Sequence, residues 1–248
     1  MKRMNFRAAV KLLWFAAIVA VISVAYLFTV AFVSAQNQRR ARARWMHRSA
    51  RKFIRLFGCR PEVPDAIPAR GLLVSNHLSY LDIVLIGSVT PAVFVSKADV
   101  KNWPVFGRLT RMAGTVYIER ERRTHVGEVN REIESALADD LLVVIFPEGT
   151  SSDGRDVLPF RSSLLEPALR GGHDLSVSHI SYSLADGDAA QEVCYWGDQS
   201  FSPHLLNLLG KKTVSAKLRF GKFTRATDDR KELAAQLDAA VVELKSRG

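Results

Sequence analysis

The uncharged run from Leu12 to Ala35 constrains this chain more than any other feature, because it holds only Ser23, Thr29 and Ser34 as clearly polar members. As one helix the run is about 36 Å long, enough to cross a hydrocarbon layer of about 30 Å with some tilt. Val33-Ser34-Ala35, after a basic start at Lys2, Arg3 and Arg7, also has the look of a signal-peptidase site. The apolar region is longer than a signal peptide needs and a dense arginine cluster follows it directly, so a retained anchor is the expectation. Arg39, Arg40, Arg42, Arg44, Arg48, Arg51, Lys52 and Arg55 outnumber the basic residues before the run. That asymmetry predicts an anchor in the inner membrane, with the rest of the chain facing the cytoplasm.

Beyond the anchor the chain is long enough for one sizeable domain, since 48% of its 248 residues are hydrophobic. Cys59 and Cys194 are its only cysteines and lie far apart, which argues against a disulfide framework and against a zinc site. The formal charge of +10 raises the question of nucleic acid. Many of the cations crowd the stretch just after the apolar run, where anionic lipid headgroups are the natural partner, and no nucleic-acid motif accompanies them. Membrane lipids are therefore expected as partners and nucleic acid is not.

Residues 1–37 read as the anchor, 38–60 as a basic amphipathic helix, and 61–248 as the domain. Trp45, Met46, Ala50, Phe53, Ile54 and Phe57 recur at helical spacing with arginine and lysine between them. Such a helix either lies in a membrane interface or packs its apolar face on the domain; both readings stand, and the division above adopts the interfacial one. Pro61, Pro64 and Pro68 read as a rigid linker. Strands are expected at 71–75, 92–96, 115–119, 141–146, 175–181, 191–195 and 213–220. Helices are expected near 79–88, 124–138, 162–170 and 229–245, the last opened by an Asp229 and Glu232 capping box. This alternation predicts a single α/β domain with a mixed, largely buried sheet flanked by helices and preceded by the transmembrane helix.

Three short blocks carry the chemistry. Asn76-His77-Leu78-Ser79-Tyr80-Leu81-Asp82 sets a histidine and a carboxylate five residues apart at a strand-to-helix turn. A neutral imidazole is the usual base for an alcohol near pH 7, and a carboxylate beside it fixes the ring tautomer. Ser79-x-x-Asp82 is equally a helix capping box, so Asp82 alone decides nothing. The second block, Gly114 to Arg120, ends a strand on an arginine suited to a phosphate or carboxylate. The third, Phe146-Pro147-Glu148-Gly149-Thr150-Ser151, turns the chain at the end of its most apolar strand.

In this order the three blocks resemble those of the glycerolipid acyltransferases, the family that includes the 1-acylglycerol-3-phosphate acyltransferases, over roughly residues 71–180. The resemblance implies that His77 is the general base and Asp82 its orienter. It implies that Arg120, Glu148 and Gly149, with Thr150 and Asn76 alongside, bind the acceptor. It implies a fatty acyl group moved from acyl-CoA or acyl carrier protein to a lysophospholipid, lysophosphatidate first. An acyl thioester is already activated, so neither a metal nor another cofactor is expected. The role of Lys97 stays open. The chain departs from the family pattern at Pro159-Phe160-Arg161-Ser162-Ser163 and at Val177-Ser178-His179-Ile180. Thr150-Ser151-Ser152-Asp153-Gly154 and Tyr195-Trp196-Gly197-Asp198 are instead similar to a branch containing lyso-ornithine lipid acyltransferases, which makes lyso-ornithine lipid the alternative acceptor. A non-catalytic membrane-remodelling protein is the alternative of another class.

Overall fold

The computed structural model describes residues 5–63, 66–119 and 123–247. Arg120 and Pro64 therefore lie outside the described residues. Two long helices, α1 (Phe6–Thr29) and α2 (Ala35–Phe57), come first. They are followed by β1 (Cys59–Glu62), β2 (Gly71–Ser75), α3 (Tyr80–Val89), β3 (Ala92–Lys97), a 3-10 turn at Ala98–Asn102, α4 (Phe106–Ala113), β4 (Val116–Ile118), α5 (Arg123–Ala138) and β5 (Leu142–Ile145). The remainder holds a 3-10 turn at Ser162–Leu164, α6 (Glu166–Arg170), β6 (Leu175–Ser183), α7 (Ala189–Glu192), α8 (Phe201–Gly210), β7 (Val214–Phe223) and α9 (Arg230–Ser246).

Among the described residues the strands form one seven-stranded sheet in the order β1-β7-β6-β2-β5-β3-β4. All neighbours are parallel except the β6/β7 pair. The sheet is thus mixed, as the alternation of apolar runs predicts, and β2 at its centre is buried at every residue. Leu73 faces a layer built from α1, α2, α3 and α8, whereas Leu72 and Val74 face one built from α5, α6 and α9. Strands buried on both faces read as continuous apolar runs, which is why the central strands stand out in the sequence.

Three expectations need correction. The stretch expected as a strand at 191–195 begins instead as α7, whose N-cap Asp188 accepts a hydrogen bond from the Ala190 amide at 2.9 Å. Pro61 is not linker but part of β1, paired in parallel with Ala216 of β7. A proline fits there because β1 is the sheet edge, where one face of the backbone needs no donor. Asp229 caps α9 through the Lys231 and Glu232 amides, but the Glu232 carboxylate takes the Thr227 hydroxyl rather than closing the box.

The N-terminal helices meet the domain closely. α1 spans Phe6–Thr29, starting earlier than the apolar run because Asn5 caps it by accepting from the Ala8 amide. It is long and apolar enough to cross a membrane, and Leu13, Trp14 and Phe28 on its outer side are exposed. Ala8, Phe15 and Ile22, seven residues apart, form its buried stripe. The Trp45 indole donates to the Ile22 carbonyl at 2.9 Å, and the Phe15 ring lies 5.3 Å from that of Phe53. α2 buries Trp45, Phe53, Ile54 and Phe57 against the domain and leaves Arg44, Arg48, Arg51, Lys52 and Arg55 exposed. Gly58 ends α2 in the left-handed region and the chain runs straight into β1, so the boundary expected at residue 61 falls inside a strand.

Gly71 opens β2 at φ +85°, and a Cβ there would sit 2.1 Å from the Asp174 carbonyl oxygen at the start of β6. Both the strained backbone and the clash act on the strand that carries the first block. Gly71→Ala is expected to destabilise the fold by at least about 2 kcal/mol. Thermal unfolding in detergent reads this out, and an unchanged midpoint would contradict the close approach of Gly71 to Asp174.

Candidate active site

The first block leaves the C-terminal end of β2, the end of a parallel sheet where ligand sites collect. Ser75 is the last residue of β2 paired with β6, opposite Ser178, but β6 runs on to Ser183. Asn76 continues the ladder with its side chain: its Nδ2 donates to the Ile180 carbonyl at 3.0 Å and its Oδ1 accepts from the Ile180 amide at 2.8 Å. With both ends of the amide engaged and the residue buried, Asn76 braces the loop from behind. Two further bonds hold the same loop from the front, Ser152 N–H to the His77 carbonyl at 3.0 Å and Tyr195 N–H to the Leu78 carbonyl at 2.8 Å.

His77 Nδ1 lies 2.7 Å from Asp82 Oδ2. The same oxygen accepts from the Leu78 amide at 2.7 Å and the Ser79 amide at 2.9 Å, and Oδ1 accepts from the Tyr182 hydroxyl at 2.7 Å. One oxygen of Asp82 thus serves both the backbone amides ahead of α3 and the His77 ring. Asp82 is fully buried, and a carboxylate is stable there only because each oxygen has a donor. With Nδ1 engaged, the ring keeps Nε2 as its acceptor. The His77 side chain is 21% exposed and stacks on the Phe146 ring at 4.3 Å, which fixes the plane in which Nε2 points.

His77 opens onto an apolar cavity of about 330 Å³. Met46, Ala50 and Phe53 of α2, Ile83 and Val84 of α3, and Phe106 and Leu109 of α4 line it, so the apolar face of α2 serves as a cavity wall. Thr150 and Ser151 of the third block line the same cavity, as do Tyr195, Trp196 and Gly197. The two segments are tied together by the Ser151 hydroxyl, which donates to the Tyr195 carbonyl. Gly149 adopts φ +81° and its amide closes a turn onto the Phe146 carbonyl, and it too lines the cavity. Lys97, at the end of β3, is exposed on the cavity wall with no anionic partner among the described residues.

Glu148 sits apart from this cavity. It is 3% exposed, and neither carboxylate oxygen makes a hydrogen bond among the described residues. Burial pushes its pKa up from 4.5 to about 8, and the Asp82 and Asp238 charges add to the rise. The His77 and Leu158 amides point towards it and offset part of the rise, short of full hydrogen-bond geometry. Burial thus favours the neutral carboxylic acid at Glu148, close behind the His77 backbone. Among the described residues no group of three or more histidine, cysteine, aspartate or glutamate side chains is set to hold a metal ion.

Known proteins resemble this chain in sequence and in fold. The family model described as Acyltransferase matches residues 59–182. The chain is 34% identical over 209 residues to the lyso-ornithine lipid O-acyltransferase of Brucella abortus, a match covering 77% of this chain and 78% of that one. It is 35% identical over 194 residues to the enzyme of the same name from Rhizobium meliloti, covering 72% and 66% of the two chains. With the 1-acyl-sn-glycerol-3-phosphate acyltransferase of Neisseria gonorrhoeae the identity is 31% over 160 residues, covering 64% and 61%. The crystal structure of the 1-acyl-sn-glycerophosphate (LPA) acyltransferase PlsC from Thermotoga maritima has the same fold, with a TM-score of 0.64 at 19% identity over 99% of this chain and 98% of that one. The chain belongs to the Acyltransferase family.

Sequence reasoning marked His77 and Asp82, and the structure brings them together. It missed Tyr182, which lies one residue past the expected end of its strand, and Phe146, whose ring supports the imidazole. Period-two alternation from Ile180 would have put Tyr182 on the same face of the sheet, and that was the available signal.

The raised pKa of Glu148 has a consequence for stability. Its folded pKa lies above the unfolded one, so its favourable contribution is complete below pH 4.5 and is lost as pH rises through about 8. Glu148→Gln removes the group that ionises. Its unfolding midpoint is expected to overtake that of the parent protein by several degrees between pH 6 and pH 9, and parallel pH profiles for the two would contradict the assignment.

Proposed function

We propose that this chain is a membrane-attached O-acyltransferase that moves a fatty acyl group from acyl-CoA or acyl carrier protein to the hydroxyl of a lysolipid, with lyso-ornithine lipid as its first acceptor. His77 Nε2 takes the proton of the acceptor hydroxyl as that oxygen attacks the thioester carbonyl. The new C–O bond forms, the tetrahedral intermediate collapses with loss of the C–S bond, and the proton on the imidazolium passes to the departing thiolate. Asp82 keeps the ring in the tautomer that permits this and stabilises the imidazolium. The apolar cavity takes the acyl chain. No metal or other cofactor enters the scheme, because the thioester carbonyl is already activated.

The observation that carries the choice of acceptor is that the two variant segments, Thr150-Ser151 and Tyr195-Trp196-Gly197, line the cavity that His77 opens onto. These segments resemble the lyso-ornithine lipid branch, and the relatives from Brucella abortus and Rhizobium meliloti carry that name. The expected order of the two acceptors is therefore reversed. Lysophosphatidate remains the second reading, favoured by the Lys97 ammonium on the cavity wall, which has no anionic partner among the described residues, and by the 31% identity to the Neisseria gonorrhoeae enzyme. α1 attaches the enzyme to the inner membrane, and the exposed cations of α2 face anionic headgroups on its cytoplasmic side.

Full-length protein in detergent, given acyl-CoA or acyl carrier protein carrying a labelled chain, should acylate lyso-ornithine lipid faster than lysophosphatidate. The reverse order would establish the second reading. His77→Ala should lower the rate with either acceptor by a factor of about a hundred or more, and an unchanged rate would refute His77 as the base.

A further inference from the structure

Asp82 Oδ2 is saturated by His77 Nδ1 and by the Leu78 and Ser79 amides, whereas Oδ1 depends on Tyr182. Tyr182 belongs to none of the three blocks. It stands on the overhang of β6, four residues beyond the last pairing of that strand with β2, and is held there by pairing with Ala216 of β7. Its hydroxyl lies 2.7 Å from Oδ1 and is fully enclosed. Burial, reinforced by the Asp82 charge and by Cys59, holds the phenol well above the ordinary tyrosine range, so it remains a donor at every working pH.

An aspartate carboxylate rotates about its last bond over a broad, shallow well. Two backbone amides and the imidazole all pull on one oxygen, and they leave the other end of the carboxylate without a fixed point. We infer that Tyr182 is a positioning residue for acyl transfer: its hydroxyl pins Oδ1, so that Oδ2 stays aimed at His77 Nδ1 and Nε2 stays aimed into the cavity. This inference rests on the proposed role of His77 as the base. It gives the β6 overhang a single purpose, since Ile180 on it holds Asn76 before the histidine and Tyr182 holds the carboxylate after it.

The direction of the pH effect follows from charge. A donor on Oδ1 stabilises the ionised carboxylate, and its loss removes part of that stabilisation. Cys59, Cys194 and Glu148 also sense the Asp82 charge. Both thiols are pushed up to about 12 by burial and stay neutral, so they do not move the acid limb of a rate profile.

Tyr182→Phe is the test, in the full-length protein with acyl-CoA and the better lysolipid. The expected result is a kcat lower by about ten- to a hundredfold, KM for both substrates within about twofold, and an acid limb displaced to higher pH. In the Asp82→Asn background the same change should cost nothing further, because the tyrosine acts through the carboxylate. Should Tyr182→Phe unfold, 3-fluorotyrosine at position 182 preserves the shape with a stronger donor and should move the acid limb to lower pH. A folded Tyr182→Phe with parental kcat and pH profile, an undiminished extra loss on top of Asp82→Asn, or a fluorotyrosine protein with an unmoved limb would overturn the inference. If His77→Ala and Asp82→Asn are inactive in those same assays, only the role of Tyr182 fails; if His77→Ala stays active, the base assignment fails and the inference with it.

Discussion

A carboxylate with no access to water must be satisfied by the protein, and the placement of the site follows from how this chain meets that demand at Asp82. Four donors converge on its two oxygens: two amides at the start of α3, the imidazole of His77, and the phenol of Tyr182. Removing any of them leaves a buried charge short of a partner, a defect that costs more than an ordinary lost hydrogen bond. The requirement therefore locks three separate pieces of chain together: the loop after β2, the first turn of α3, and the far end of β6.

That convergence explains why a histidine can be both rigid and accessible. The His77 backbone is clamped by Ser152 and, through Leu78, by Tyr195, while its ring is fixed by Asp82 on one side and Phe146 on a face. His77 also lines a cavity to whose walls α2 and α4 contribute. Helix α2 thus has two faces with two tasks. Its buried rings shape the cavity and receive α1, and its exposed arginines remain available to an anionic surface.

Much of this was legible because burial on both faces writes long apolar runs. β2 and α3 were read to within a residue, and the His77 and Asp82 pair followed from its place at the turn between them. What escaped had physical reasons. β1 contains Pro61, which reads as a linker until the neighbouring strand makes it a sheet edge. Residues 193–195 are apolar and β-like, but Asp188 caps a short helix that takes in Gln191 and Glu192. α4 and α8 are short, and their first residues, Phe106 and Phe201, pack around Tyr80, a contact between distant parts of the chain. Tyr182 was missed because its partner is 100 residues away in sequence, and only the parallel neighbourhood of β2 and β6 brings the two together.

The central claim is that Asp82 holds the His77 ring with its proton on Nδ1 and its free electron pair on Nε2, facing the cavity. Nitrogen-15 NMR of the histidine-labelled full-length protein in detergent, with the His77 signals assigned by their loss in His77→Gln, reads that tautomer directly. Above the histidine pKa the account predicts a protonated Nδ1 coupled to a hydrogen-bonded proton and an unprotonated Nε2. A proton found on Nε2, with Nδ1 bare towards Asp82, would contradict it.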